Sequence, residues 1–302
     1  MKTFFNNPFE ISGRWFKGNL HTHTTNSDGK LSPKQMIYLY RSNGYDFIAI
    51  TDHWVLYRGE NADLNNFLVI PGEEINLGKM YLGASIHIVA LNIFREISDK
   101  TLTPQQVIDE INSQNGLAVI AHPYWSSLTL EDLLLLKNYI GIEVYNTTCD
   151  VITDKGYSYI HWDLLLDAGR YVYGFAVDDS HWSFSPINEP DVLKGWIMVK
   201  ASRLELNSII DSIKNGLFYS TCGPEIKNVE IESNKIYVET SPVKYISFIG
   251  SKNRSRRIMS LRGEEITSAE YSIRGGEKYI RIQCIDSNGK MAWTNPIIIQ
   301  GE

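Results

Sequence analysis

The segment FIAITDH, residues 47–53, decides the fold, because four apolar residues lead directly into polar side chains that bind protons or metals. A short run that is apolar at every position is typical of a strand buried on both faces. Comparable runs recur over roughly the first 200 residues. Their apolar parts end at Leu20, Ile70, Leu91, Ile120, Tyr145 and Val177.

Helical patterns with clear ends separate these runs. Residues 32–35 and 103–106 each combine a hydroxyl N-cap, a proline at the first helical position and a glutamine that completes a capping box. Gly44 and Gly116 follow at the positions where a glycine ends a helix. Two further helices are predicted over residues 154–168 and 204–215.

This alternation of strands and helices predicts parallel strands joined by crossovers, and therefore an α/β fold. A closed or nearly closed β/α barrel is the economical interpretation, and an open doubly wound sheet is the alternative. The chain has no glycine-rich dinucleotide motif or P-loop that would favour the open sheet.

The hydrophobic pattern changes to period two after the segment 222–224, as in Val229 and Ile231 or Ile280 and Ile282. This pattern predicts a small antiparallel β-sandwich. We therefore expect two domains, a barrel over residues 1–222 and a sandwich over residues 223–302.

Composition limits the class of protein. The chain has 302 residues, of which 43% are apolar and 21% charged, and this balance excludes a disordered chain and a coiled coil. A net charge of −6 gives no general attraction for nucleic acid or anionic membranes, so we expect neither as a partner. We interpret the arginines at 254, 256 and 257 as a solvated loop.

The sequence also shows no pattern expected of a membrane-spanning or secreted protein. No apolar run approaches the roughly 18 residues of a membrane helix, and the first residues lack the apolar core of a secretory signal. Three widely spaced cysteines fit reduced thiols better than a disulfide framework. We expect a cytoplasmic protein.

Six of the seven histidines lie at or just past an apolar run, with carboxylates beside them. In a β/α barrel the C-terminal strand ends converge on one face, so these side chains should meet. Such a cluster would be costly to desolvate without divalent cations. Imidazole and carboxylate together suit Zn, Mn or Fe, and the absence of cysteine pairs argues against structural zinc. The histidines are His21, His23, His53, His87, His122 and His181.

The order of the motifs resembles a known family. HxHxxxSDG from His21, TDH at 51–53, PGxE from Pro71, HP at 122–123 and DxxH from Asp178 are similar to those of the polymerase and histidinol phosphatase (PHP) superfamily. The likeness covers roughly residues 14–222. It implies a distorted seven-stranded β/α barrel that holds two or three divalent metal ions. The added β domain is similar to that of the branch that includes carbaryl-hydrolase-like proteins.

The resemblance also implies three sets of metal ligands. Glu74 would bridge the first two metals, and strand alternation turns its neighbour Glu73 the other way. Histidinol phosphatases usually carry histidine where this chain has Asp28, so histidinol phosphate is not the expected substrate. The ligands would be His21, His23 and Asp178 for the first metal, His87 and His122 for the second, and Asp28, His53 and His181 for the third.

Other polar residues stand beside these ligands. Asp52 and Asp179 would either orient the ligands or cap loops. Glu143 and Asn146 at a strand end would contact a metal-bound water or the substrate, or else brace the loop. His161 sits within a helical pattern and is interpreted as an ordinary residue of an amphipathic helix.

Aromatic residues follow several of the ligands in loops, where some of them would flank a substrate ring. Of these we select Trp54, Tyr124 and Trp182 as candidate substrate contacts, and Arg58 as a candidate fork for phosphate or carboxylate. The remaining aromatic residues in these loops are Tyr57, Trp125 and Phe184.

These observations predict a metal-dependent phosphoesterase that acts on a small phosphomonoester or phosphodiester, with a nucleotide-like molecule as one candidate substrate. A hydroxide between the first two metals would attack phosphorus, and Asp178 or His181 would pass a proton to the leaving oxygen. Asp28 would serve catalysis through the third metal. An amidase, esterase or carbamate hydrolase on the same site is the rival, and a non-catalytic binding protein is the third possibility. A serine triad through Ser180 lacks the nucleophile-elbow pattern.

Overall fold

The computed structural model describes residues 2–59, 66–183 and 190–300. The helices in these ranges are α1 Pro33–Ser42, α2 Pro104–Ser113, α3 Leu130–Leu135, α4 Thr147–Thr153, α5 Tyr159–Asp167 and α6 Leu206–Lys214. The strands of the first 221 residues are β1 Lys2–Phe4, β2 Arg14–Asn19, β3 Phe47–Ile50, β4 Leu68–Leu77, β5 Ile86–Leu91, β6 Leu117–Ile120, β7 Gly141–Asn146, β8 Tyr173–Val177, β9 Trp196–Ala201 and β10 Phe218–Thr221. The later strands are β11 Ile226–Glu232, β12 Lys235–Val243, β13 Tyr245–Gly250, β14 Arg256–Ile258, β15 Ile266–Ser272, β16 Tyr279–Ile285, β17 Met291–Thr294 and β18 Ile297–Gln300.

Strands β2 to β8 lie side by side in chain order and form a barrel-like sheet. Strands β2, β3 and β4 are parallel to one another, as are β6, β7 and β8. A parallel bridge between Thr22 and Ser180 joins the chain just past the first and last of these seven strands. The expected α/β barrel-like fold is therefore confirmed.

The direction of β5 differs from the expected run of parallel strands, since it is antiparallel to both β4 and β6. Only residues 78–85 connect β4 to β5. A parallel pair needs a crossover connection of roughly a dozen residues or more. Because this connection is shorter, the two strands pair antiparallel.

The later strands form the expected antiparallel sheet domain, but the main sheet runs into it without a break. Strand β10 pairs with both β9 and β17, and β1 pairs with β18 near the end of the chain. Strands β11, β12 and β15 make a separate sheet whose apolar side chains share a core with those of β13 and β16. The division at residues 222 and 223 stays a prediction.

The helix starts show how far local signals determine structure. Both predicted capping boxes are present, Ser32 with Gln35 on α1 and Thr103 with Gln106 on α2. The helix predicted over residues 154–168 begins later, at the start of α5. Asp154 adopts φ 58° in the left-handed region and ends the preceding helix α4 instead.

Burial follows the apolar runs closely. All four residues of β3 and all six of β5 are buried. The three cysteines are free and buried. None of the helices in the described ranges combines the length and apolar character needed to cross a lipid bilayer.

Candidate metal centre

The strand ends of the barrel-like sheet bring the predicted polar side chains together. His21 and His23 follow β2, His53 follows β3, and His122 follows β6. Glu74 and His87 lie within the buried strands β4 and β5. The shared edge of the sheet thus collects imidazoles and carboxylates from strands far apart in sequence.

Glu74 lies at the middle of this cluster. Its Oε2 is 3.4 Å from His21 Nε2 and 3.2 Å from His23 Nε2. Its Oε1 is 3.0 Å from His87 Nδ1 and 3.5 Å from His122 Nε2. One carboxylate therefore faces two separate sets of imidazoles, which is the geometry of a bridging ligand.

Glu73 points the other way, as strand alternation requires. Its Oε1 accepts a hydrogen bond of 2.7 Å from the backbone N–H of Ile97. Burial raises the pKa of the Glu73 carboxyl to about 7.

The first group of ligand atoms consists of His21, His23, Glu74 and Asp179, all buried. Asp179 Oδ1 is 3.1 Å from the Nε2 atoms of both histidines, and these two nitrogens are 3.1 Å apart. Five of the six separations in the group thus lie between 3.1 and 3.4 Å. Atoms bound tetrahedrally to one zinc at about 2.0–2.1 Å would be roughly 3.3 Å apart.

The structure corrects the sequence prediction at this point, because Asp179 takes the place expected for Asp178. The Asp178 carboxylate accepts hydrogen bonds from the Tyr40 hydroxyl at 2.6 Å and the Thr147 hydroxyl at 2.8 Å. It also accepts from the backbone N–H groups of residues 193–195. Asp179 adopts φ 55°, in the left-handed region, and the carboxylates of Asp178 and Asp179 therefore point in different directions.

Asp178 therefore braces the strand end, and Asp179 faces the histidines. A signal for this assignment was present in the sequence. Asp179 and His181 are two residues apart, the same spacing as His21 and His23.

The second group consists of His53, Glu74 and His87. His53 Nδ1 is 3.1 Å from Glu74 Oε2, and His87 Nδ1 is 3.0 Å from the other oxygen, Oε1. His122, a predicted ligand of the second metal, lies beside the group, 3.5 Å from Glu74 Oε1.

The third group consists of His23, Asp28, His53 and His181. Asp28 Oδ2 is 3.5 Å from His181 Nε2 and 3.8 Å from His53 Nε2. The three residues predicted for the third metal are therefore brought together. The Asp28 side chain is 54% exposed, whereas the first group is almost inaccessible.

Opposite charges shape the titration of the cluster. Burial alone would lower the pKa of the His23 imidazole, but the neighbouring Asp179 and Glu74 carboxylates raise it to about 9. Burial alone would raise the pKa values of the Glu74 and Asp179 carboxyls, but the neighbouring histidines lower them. Without a metal, the cluster is thus held by protonated imidazole facing ionised carboxylate.

Hydrogen bonds behind the imidazoles set which nitrogen faces the cluster. His21 Nδ1 is 2.6 Å from Glu143 Oε1, and His122 Nδ1 is 3.1 Å from Ser126 Oγ. His181 Nδ1 donates to the backbone carbonyl of Asp179 at 2.8 Å. In each case Nε2 is left pointing inward, as in metal sites where a second hydrogen bond orients the ligand.

Two residues whose roles the sequence left open are placed by the same network. Asn146 Nδ2 donates to Glu143 Oε2 at 2.8 Å and to Asp179 Oδ2 at 3.1 Å. Asp52 accepts hydrogen bonds from the backbone N–H of Thr24 and from its hydroxyl, both at 2.6 Å. Asn146 therefore positions a carboxylate, and Asp52 braces the loop after His23.

The buried atoms of this cluster fit a divalent cation. Asp179 Oδ1 and His53 Nδ1 are buried, and neither makes a hydrogen bond of normal geometry despite near neighbours. Buried polar atoms without partners are rare and costly. Each of these residues belongs to a group of potential metal ligands, and the imidazole and carboxylate donor set suits Zn, Mn or Fe.

A cavity of about 370 Å³ opens over the cluster. Asp28, His53 and His181 lie along it, with residues of α4 on another side. Trp125 is the aromatic residue among its described lining residues. The full described lining is Asp28, His53, Glu74, His87, His122, Trp125, Thr148, Cys149, Ile152, Thr153, Asp179, His181 and Ser183.

The four predicted substrate contacts do not lie among these lining residues. The Trp54 indole donates to Asn76 Oδ1, and Arg58 donates to the backbone carbonyl of Phe94 at 3.4 Å. Tyr124 is 43% exposed and lies beside His161.

Trp182 is the fourth predicted contact, and it adopts φ 56° directly after His181. Phe184 lies outside the described residues. Adjacency in sequence to a ligand did not locate the cavity wall, because loop residues next to a ligand can face either side.

Comparisons with known proteins give short matches in sequence. No protein-family model matches the chain. An uncharacterised protein of Methanocaldococcus jannaschii is 29% identical over 143 residues, which are 43% of this chain and 81% of that protein. A 5'-3' exoribonuclease of Haemophilus influenzae is 34% identical over 80 residues, which are 25% of this chain and 28% of the exoribonuclease.

A longer match is found in structure. A two-domain protein of Bacteroides vulgatus, described as containing a predicted PHP-like metal-dependent phosphoesterase, matches 91% of this chain and 91% of its own with a TM-score of 0.51. The two sequences are 16% identical over this match, so the likeness concerns the fold. The chain thus shares the fold of that two-domain protein, and its barrel-like part carries a cluster of histidine, aspartate and glutamate that could hold metal ions.

Proposed function

We propose that this protein is a metal-dependent hydrolase that cleaves a phosphoester bond in a small molecule. The observation that carries the proposal is the first group. Four buried ligand atoms from His21, His23, Glu74 and Asp179 have the mutual separations expected around one ion. When the two histidines bind as neutral imidazoles, a divalent cation would offset the charge of the two ionised carboxylates.

Divalent ions in such a site supply an acidified water and offset charge on the oxygens of the transition state. The chain's own part is to fix the ligands. Glu74 holds two sets of imidazoles at a set separation, and Glu143 keeps His21 Nε2 directed inward. Because these groups are buried, little reorganisation is needed when charge develops.

The third group favours a phosphoryl over an acyl substrate. Attack on a planar carbonyl develops one oxyanion, which a two-ion centre can stabilise. A phosphoryl group carries further oxygens, and stabilising them is nearly the whole catalytic task. Asp28 and His181 lie along the cavity, where they would serve this second demand.

Of the two predicted proton donors, His181 remains. Asp178 is fully buried and its oxygens accept hydrogen bonds from the fold, so it does not reach a substrate. His181 lines the cavity, and it would hold a proton at Nε2 in a two-ion centre. Occupation of the third group would take that nitrogen, so the two roles exclude each other.

The experiment is a substrate screen of Mn- or Zn-loaded protein. We expect hydrolysis of phosphomonoesters or small phosphodiesters to exceed that of aryl carbamates and carboxylic esters. A relative is named an exoribonuclease, so short RNA belongs in the screen. Faster hydrolysis of a carbamate, ester or amide would show that the rival function is the right one.

A further inference from the structure

The cavity over the candidate metal centre is lined by two unlike kinds of side chain. Imidazoles and carboxylates are one kind, and Trp125 and Ile152 are the two large apolar side chains beside them. These two apolar side chains are 41% and 46% exposed, although they adjoin a buried cluster. Apolar surface left open inside a concave site is a usual sign of a bound apolar group.

Both side chains are held by rigid local structure. The Trp125 ring stands edge-on to the rings of His122 and His87, with centroids 5.0 and 5.8 Å apart. Its loop is closed by the Leu128 N–H donating to the Pro123 carbonyl at 3.0 Å. The wall that Trp125 forms is therefore set by the same loop that positions His122.

Ile152 lies on the helix α4, which is capped at both ends. Asn146 Oδ1 accepts from the Cys149 N–H at the start of the helix, and Asp154 ends it. Thr148, Cys149 and Thr153 of α4 also line the cavity, and Ile152 is the large apolar side chain that this helix presents to it. Neither wall has to be ordered when a ligand binds, which reduces the entropy lost on binding.

The charges of the lining residues limit which substrates the cavity can accept. The described lining of the cavity contains three carboxylates, Asp28, Glu74 and Asp179, and no lysine or arginine. Bound cations would thus be the source of positive charge for a phosphoryl group. A second anionic group on the substrate would lose its hydration without meeting a lysine or arginine among the described lining residues.

Building on the proposed function, we infer that the substrate is a phosphomonoester whose leaving group is flat, uncharged and apolar, as in an aryl phosphate. The phosphoryl group lies against the candidate metal centre, and the flat group lies against Trp125 and Ile152. Contacts of this kind change selectivity by roughly 10- to 100-fold. A cavity of about 370 Å³ is at the small end of ligand sites, as a single-ring ester requires.

The test compares phenyl phosphate with methyl phosphate, using metal-loaded protein and its Trp125→Ala and Ile152→Ala variants. We expect each variant to lower the ratio of the two kcat/KM values, by roughly 10- to 100-fold for Trp125→Ala and less for Ile152→Ala. Using the change in ratio removes the intrinsic reactivity of the two leaving groups. Equal losses on both substrates, or no change, would overturn the inference.

Metal content is measured in each variant, because the Trp125 ring contacts two of the histidines. Trp125→Phe keeps an aromatic ring and should retain most of the ratio. Tyr171→Ala removes a comparably exposed aromatic residue outside this cavity and should change nothing. If Trp125→Ala loses metal, Ile152→Ala decides by the same ratio.

Binding of phenylphosphonate against methylphosphonate separates the inference from the proposed function. Tighter binding of the phenyl compound, reduced by Trp125→Ala, supports the apolar subsite even if no phosphoester is hydrolysed, and in that case the proposed function alone fails. Equal affinities of the two compounds overturn the subsite. Phenylphosphonate should also bind more tightly than 4-carboxyphenylphosphonate, and the reverse order would contradict the charge argument.

Discussion

The first and third groups use similar side chains but differ in how tightly they are built. In the first group five of the six separations between ligand atoms are 3.1–3.4 Å, and every side chain is at most 7% exposed. In the third group Asp28 lies 3.5 and 3.8 Å from two imidazoles and is half exposed. The difference shows that one edge of the sheet can hold a buried, closely spaced ligand group beside a more exposed and more widely spaced one.

The cause lies in what supports each carboxylate. Glu74 belongs to a buried strand, and Asp179 accepts a hydrogen bond from Asn146. Asp28 projects from the loop after β2, where its nearest side-chain donor is the Ser27 hydroxyl at 3.1 Å. We therefore expect the first group to bind its ion most tightly and the third to exchange its ion most readily.

The largest expected effect is loss of the bridging carboxylate. Glu74→Gln should remove metal from the first two groups and lower kcat/KM by roughly a thousandfold or more, since it removes a charge shared by both sets. The measurement is elemental analysis together with steady-state kinetics. Glu73→Gln is the matched control, because the neighbouring carboxyl faces the Ile97 N–H instead.

Retention of both metals by Glu74→Gln would show that its carboxylate is not a shared ligand. Loss of metal in Glu73→Gln would show that the two faces of β4 are not independent.

A smaller effect is expected from the third group. Asp28→Asn should lower kcat for a phosphoester by roughly a hundredfold, in the range seen when one transition-state contact is removed. The first two metals should stay bound, because Asp28 does not belong to the first group. If Asp28→Asn kept full phosphoesterase activity, the third group would have no role in catalysis.

A smaller effect again is expected when the hydrogen-bond partner of His21 Nδ1, outside the first group, is changed. Glu143→Gln keeps the shape of the residue that faces His21 Nδ1 but removes its charge. Metal affinity of the first group should fall by roughly 10- to 100-fold, as when outer hydrogen-bonding partners of a metal site are changed. Titration against a competing chelator measures this, and an unchanged affinity would mean that Glu143 only braces the strand end.

The smallest expected effect is on pH dependence. The pKa of His23 in the metal-free protein is raised from 6.5 to about 9, so the imidazole is protonated at pH 7. Its contribution to metal-free stability is therefore complete below about pH 6.5 and lost as pH rises through about 9.

A metal must displace that proton, so metal affinity should rise with pH up to about 9. Calorimetry in buffers of different ionisation enthalpy measures the protons released on binding. An affinity independent of pH between 6 and 9 would contradict proton displacement from His23.

Much of the fold was predictable because its signals are local. The capping boxes before α1 and α2 use residues three apart, and the fully apolar run of β3 is recognisable without its partners. The resemblance to the PGxE motif implied Glu74, and strand alternation turns its neighbour Glu73 the other way. Each of these depends on short-range geometry that the sequence carries directly.

The rest depends on backbone geometry and tertiary packing. Asp179 replaces Asp178 at the histidines because the chain enters the left-handed region there. The sequence signal for this assignment was the two-residue spacing of Asp179 and His181, and the backbone turn itself was not predictable from a non-glycine residue. Strand β5 reverses direction because its connection to β4 is short. Trp125 rather than Tyr124 lines the cavity because of how one loop closes around His122.

The central claim is that Asp179, with His21, His23 and Glu74, holds a metal ion, and that Asp178 does not. Its most direct test is anomalous diffraction from crystals of Mn- or Zn-loaded protein, with elemental analysis of the same sample. We predict an anomalous peak within about 2.0–2.2 Å of one atom from each of the four side chains, and at least one ion per chain. An ion bound by Asp178 instead, or fewer than one ion per chain after loading, would contradict the account.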